Sequence, residues 1–172
     1  MGNVIDTVQE FLQRGGDVLT IIFIVITIML ALVLERVIYF NTAYRREAAQ
    51  VKEAWEARPE RKSWYAHQVR TAMISQVRLN LEQNIGLIKT FVAICPLCGL
   101  LGTVTGMIEV FDVMAALGSG NARAMASGVS KATIPTMAGM VGAMVGVFAA
   151  TFTEQAAEKR AEQLEDSLTL DH

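Results

Sequence analysis

From Val18 to Leu34 the chain carries no charged side chain, and its only hydroxyls there are Thr20 and Thr27. At the helical rise this stretch covers about 25 Å, close to the thickness of a hydrocarbon core, and Val37-Ile38-Tyr39-Phe40 continues it. Two further apolar runs, between Lys89 and Glu109 and between Lys131 and Glu154, cover about 28 Å and about 33 Å as helix. Composition agrees: 52% of the 172 residues are hydrophobic and 19% charged, with a mean hydropathy of +0.36, too apolar for disorder or for an ordinary soluble domain. The sequence predicts an all-α integral membrane protein with three transmembrane helices.

The distribution of charge orients those spans. A formal charge of −2 gives no reason to expect nucleic-acid binding. Residues 41–88, with Lys89 at their end, carry Arg45, Arg46, Lys52, Arg58, Arg61, Lys62, Arg70 and Arg78, whereas the short connection before the third span carries only Arg123. By the positive-inside rule the long segment is cytoplasmic, the N-terminus periplasmic and the C-terminus cytoplasmic. The N-terminal residues are too acidic for a cleavable signal (Asp6, Glu10 and Asp17 against Arg14), so the first span reads as an uncleaved anchor.

The expected layout is an interfacial periplasmic helix at 1–16, where Val4, Ile5, Val8, Phe11 and Leu12 share one face; spans at 17–40, 89–116 and 124–153; a cytoplasmic helical loop at 41–88; a short periplasmic loop at 117–123; and a cytoplasmic C-terminal helix at 154–172. Pro59 divides the loop, and the i, i+4 stripe Val69, Met73, Val77, Leu81 and Ile85 predicts a helix running unbroken into span two. Helices two and three are thus expected to extend into the cytoplasm.

Within the spans, Gly99, Gly102 and Gly106 in the second and Gly139, Gly142 and Gly146 in the third recur at a helix-packing interval, which lets backbones approach closely. That spacing predicts that leucine at Gly102 or Gly142 breaks an oligomer. No Gly-Lys-Ser/Thr ending follows, so a phosphate loop is excluded. Thr103, Thr105, Thr133 and Thr136, with Glu109 and Lys131, make a polar seam through two consecutive spans. A single threonine usually bonds back to its own helix, but intramembrane ionisable groups point to an ion path, and Glu109 and Lys131 stand at matching depths for an ion pair. Cys95 and Cys98 lack the exposed helix-start setting of a redox C-x-x-C and read as packing residues beside Pro96. His67 and His172 have no partners at ligand spacing. The sequence therefore offers no catalytic set, cofactor or metal site, and no enzyme.

The second span, Cys95-Pro96-Leu97-Cys98-Gly99-Leu100-Leu101-Gly102-Thr103-Val104-Thr105-Gly106-Met107-Ile108 followed by Phe111, resembles the signature of the MotA/TolQ/ExbB proton-channel family, and Gly128 to Val141 resembles that family's third helix. In length and span count the chain is most similar to the ExbB branch. The resemblance implies an inner-membrane homo-oligomer, a pentamer, whose second and third helices surround a central pore occupied by an ExbD-like single-span subunit. Proton motive force would pass to a TonB-like protein that opens outer-membrane transporters for iron uptake. By motif position Thr103 and Thr136 match the pore-lining threonines. Lys131 stands where a glutamate is common, so the resemblance places the proton carrier on the partner chain. A TolQ-like energiser and a non-conducting membrane scaffold are the alternatives.

Overall fold

The computed structural model describes residues 2–118 and 122–168; residues 119–121 of the expected outer loop and His172 lie outside the described residues. Five helices account for the described chain, with no strand among the described residues: α1 (Gly2–Asn41), α2 (Ala43–Glu56), α3 (Trp64–Glu82), α4 (Ile85–Leu117) and α5 (Ala122–Ser167). Three stretches of helix are long and apolar enough to cross a membrane, within Gly16–Glu56, Trp64–Ala116 and Ala122–Ser167. The chain divides into two compact units, the first formed by residues up to Leu30 with Lys89–Val147, the second by Ala31–Ile88 with residues from Phe148 onward.

In the first unit α1 bends at Gly16, where φ is 68° and ψ −166°. A side chain there would be strained whatever space surrounds it, so glycine is what allows the chain to leave helical geometry at this point, and two helical segments meet across the kink. Beyond the bend Leu19, Ile22 and Met29 are buried. The pairing of α4 with α5 is antiparallel and runs on small residues. Gly139 lies against Cys95, Gly99 against Thr136, Gly102 against Pro135, Gly106 against Ala132 and Gly128 against Val110. The α1 side chains Val18, Ile26 and Met29 pack onto Gly102, Gly142 and Gly146. The six glycines of the sequence pattern therefore join helices within one protomer. Small residues serve here because apolar surface gains nothing by leaving lipid tails, and close van der Waals contact takes over as the source of cohesion.

The second unit has an ordinary apolar core: Phe40, Trp55, Val77, Leu81, Ile85, Leu164 and Leu168 are buried together. Around it hydrogen bonds tie distant segments. Arg36, only 3% exposed, donates through Nε and Nη2 to the Glu35 carboxylate at 2.7 and 2.8 Å and through Nη1 to the Asn80 carbonyl at 3.0 Å. Tyr39 and Asn80 both donate to Glu47, at 2.7 and 2.6 Å. A buried guanidinium is tolerated when every face finds a partner, and this one does.

The stripe from Met73 to Ile85 is directed inward as its period predicts, but it is carried by two helices. α3 ends at Glu82, Asn84 takes φ 65°, and α4 starts at Ile85. The unbroken helix expected here is thus corrected to a break at 83–84. Asparagine is among the few residues that accept the left-handed region without glycine's freedom. Its carbonyl receives the Ile88 amide at 2.9 Å, which starts the next helix. At Pro59 the chain does leave helix, between α2 and α3.

Candidate functional site

The polar seam belongs to the first unit, and its hydroxyls divide into two kinds. Thr103 donates to the Leu100 carbonyl at 2.7 Å, Thr105 to Gly102 at 3.1 Å and Thr133 to Ser130 at 2.9 Å, each within its own helix. These are local back-bonds of the usual kind. Thr136 differs: its hydroxyl reaches from α5 to the Gly99 carbonyl of α4 at 2.8 Å. That contact is possible because Gly99 has no side chain, and a Cβ there would stand 3.0 Å from the Thr136 Cα. Thr103 and Thr136 are both half-buried and are not hydrogen-bonded to each other.

One register step further along the same helix pair, Lys131 Nζ lies 2.9 Å from Glu109 Oε2, with the side chains 40% and 57% exposed in the protomer. The two charges border a cavity of about 160 Å³ that Thr105, Gly102, Gly106, Gly16 and Asp17 also line. The sequence reading missed Asp17 and Gly16 as members of this group. Asp17 reads from sequence only as the acid preceding an apolar run, and it is at the Gly16 kink, inside α1, that this part of the chain comes beside Lys131. The Lys131 Cε lies 3.9 Å from where a Gly16 Cβ would stand. The cavity thus gathers two carboxylates, one ammonium and one hydroxyl in a unit whose remaining lining is small or apolar. Such a set can hold water and exchange protons between carboxylates and solvent.

Two prolines accompany the seam. Pro96 in α4 and Pro135 in α5 lack amide hydrogens, which leaves the carbonyls one turn earlier, at Val92 and Lys131, without their helical donors. Cys95 is buried and Cys98 half-buried, and both are free thiols. The Cys95 backbone carbonyl is the surface on which Gly139 rests. His67 lies on α3 with its side chain exposed.

The model of the MotA/TolQ/ExbB proton channel family matches residues 40–166. The chain belongs to that family. Among curated relatives, an ExbB-like biopolymer transport protein of Helicobacter pylori is 22% identical over 158 residues, covering 82% of this chain and 84% of its own length. A protein of the same description from Synechocystis sp. is 46% identical over 61 residues, covering 34% of this chain. The latter match spans about a quarter, 24%, of the Synechocystis relative. The family match takes in α2, α3 and α4 whole and nearly all of α5, and therefore the entire seam apart from Asp17.

Proposed function

We propose that this protein is an ExbB-like subunit of an inner-membrane proton channel that, with an ExbD-like single-span partner, couples proton motive force to a TonB-like protein and so to import across the outer membrane. It acts as a channel component and not as an enzyme. The observation that carries the reading is the seam itself: Thr103, Thr136 and the Glu109–Lys131 pair on two antiparallel helices of a chain in the proton channel family.

In this reading residues 17–40, 89–116 and 124–153 span the membrane, 1–16 lie at the periplasmic interface, 117–123 form the short periplasmic loop, and 41–88 and 154–172 are cytoplasmic. A pentamer places α4 and α5 around the pore. The exposed apolar surface supports assembly in lipid. Only 17%, 22% and 28% of the three most apolar helical windows are buried within the protomer, which leaves side chains such as Leu97, Val141 and Met144 for lipid or neighbouring copies. We assign the titrating group of the pore itself to the partner, because the pore-lining hydroxyls of Thr103 and Thr136 orient water or a carboxylate without themselves changing charge, and the carboxylates of this chain stand apart from them, with Glu109 held by Lys131.

Proton flux into vesicles containing this protein, with and without the partner subunit, tests the proposal. Flux that requires both chains is expected; no flux with both present would leave a membrane scaffold instead. The same assay separates the two threonines. Thr103→Val removes a bond internal to α4, so flux should fall while thermal stability stays at the wild-type value. Thr136→Val also removes the link to Gly99 and should lower stability by about 1 kcal/mol in addition. Normal flux in both variants would remove these residues from the proton path.

A further inference from the structure

In the second unit a cavity of about 360 Å³ opens beside Arg45, Lys159 and Arg160. No carboxylate lines it; the remaining walls are the amides Asn41 and Gln163 and the rings of Phe40 and Tyr44. Arg160 is held in place. Its guanidinium carbon lies over the Phe40 ring, 4.8 Å from the centroid, and 6.0 Å from that of Tyr44, and the Tyr44 hydroxyl donates to the Arg160 carbonyl at 2.7 Å. One guanidinium nitrogen contacts the Ala156 carbonyl at 3.3 Å, which leaves Nε and Nη2 as donors. Among the described residues Arg45 and Lys159 make no ion pair. Three cations therefore converge on one opening in a chain whose formal charge is −2.

The geometry points to a binding site for the phosphate of an anionic glycerophospholipid. Three donors of positive charge around a concavity match a phosphate diester, and an arginine held over the Phe40 ring presents its remaining N–H groups with less side-chain freedom to lose. Position favours a lipid phosphate over a soluble one. Phe40 closes the short apolar run Val37–Phe40 that follows Glu35 and Arg36, the first charges after Val18, and stands about 8 Å beyond Glu35 along the helix. Lys159 and Arg160 follow Glu154, the first charge after the third apolar run, by about 8 Å along the helix, near the headgroup layer that flanks the hydrocarbon by roughly 5–7 Å. Basic pockets between helices at that depth suit anionic headgroups, and long cationic side chains reach them with their stems against apolar surface. The inference rests on the membrane placement proposed above but not on channel activity.

Lipid retention by the purified full-length protein in detergent, read by native mass spectrometry, tests it with phosphatidylglycerol, phosphatidylcholine and inorganic phosphate as probes. Phosphatidylglycerol should be retained in preference to phosphatidylcholine, and inorganic phosphate should not displace it. Lys159→Gln and Arg45→Gln, both at exposed side chains outside the core, should each weaken retention roughly fivefold, with helix content and subunit number unchanged. Equal retention of the two lipids, or unchanged retention in the double variant, overturns the site. Displacement by inorganic phosphate reassigns it to a soluble anion and overturns the lipid. Flotation with vesicles is measured alongside: a protein that does not float removes the membrane placement and the lipid site together, whereas one that floats without lipid preference removes the site alone.

Discussion

Alanine at Gly139 should strongly destabilise the three-helix unit, whereas alanine at Gly142, three residues along the same helix, should leave it close to wild type. A Cβ at Gly139 would stand 2.5 Å from the Cys95 backbone oxygen and 3.2 Å from the Gly99 Cα. Neither atom can yield unless α4 moves as a whole, and moving α4 also opens the Gly99–Thr136 and Gly102–Pro135 contacts. At Gly142 the added methyl would meet Cδ1 of the Ile26 side chain and stand 2.8 Å from its Cγ1, and a side chain can turn aside where backbone cannot. Overpacking costs about 1–3 kcal/mol, and the better helix propensity of alanine returns up to about 1. The balance is therefore unfavourable where backbone is the obstacle and near zero where a side-chain end is. Gly106, whose Cβ would stand 2.6 Å from the Ala132 Cα, belongs with Gly139. Thermal unfolding of the detergent-solubilised protein checks the ranking; equal melting temperatures for the Gly139 and Gly142 variants would mean that α4 and α5 do not pack as described.

Reversing one charge of the Glu109–Lys131 pair should impair both assembly and proton flux, and reversing both should restore a good part of each. Glu109→Lys places two ammonium groups, and Lys131→Glu two carboxylates, where a 2.9 Å contact now stands. The size of the loss reports the surroundings. A water-exposed pair contributes at most about 1 kcal/mol, while an uncompensated charge inside a membrane costs a few. Glu109→Gln should be milder than Glu109→Lys, since Asp17 lines the same cavity and offers Lys131 a second carboxylate. The coupling energy of the double-mutant cycle is the deciding quantity; strictly additive losses would show that the two side chains act independently of each other.

The spans were legible in sequence because absence of charge over a membrane's thickness is hard to explain otherwise, and the Pro59 break because proline removes a donor. Asn84 was not: it interrupts helix without glycine or proline, and its neighbours keep the apolar period on both sides. The threonines share one residue type and one setting, so nothing local distinguishes Thr136, which bonds across to Gly99, from three that bond backwards. The glycine pattern announced close helix contact but not whether the contact lay within or between chains, since both need the same small residues. Gly128 extends the ladder to Val110, but at eleven residues from Gly139 it stands too far off to be read as part of the repeat. Arg36 falls inside the expected first span, where nothing in the sequence accounts for a charge, and only tertiary structure shows the Asn80 carbonyl that makes its burial tolerable.

Helix ends are ordinarily where a chain begins to fray, because their last carbonyls have no amide to meet them. The end of α5 is closed from elsewhere: Arg70 donates to the carbonyls of Leu168 and Glu165, each at 2.7 Å, and Leu168 is fully buried. A guanidinium near a helix C-terminus also faces the negative end of the helix dipole. Loosening of the second unit is thereby denied its easiest starting point. The final turn can detach only after α3 releases it, so the C-terminal helix should open cooperatively with the middle of the chain instead of unwinding residue by residue from its tip.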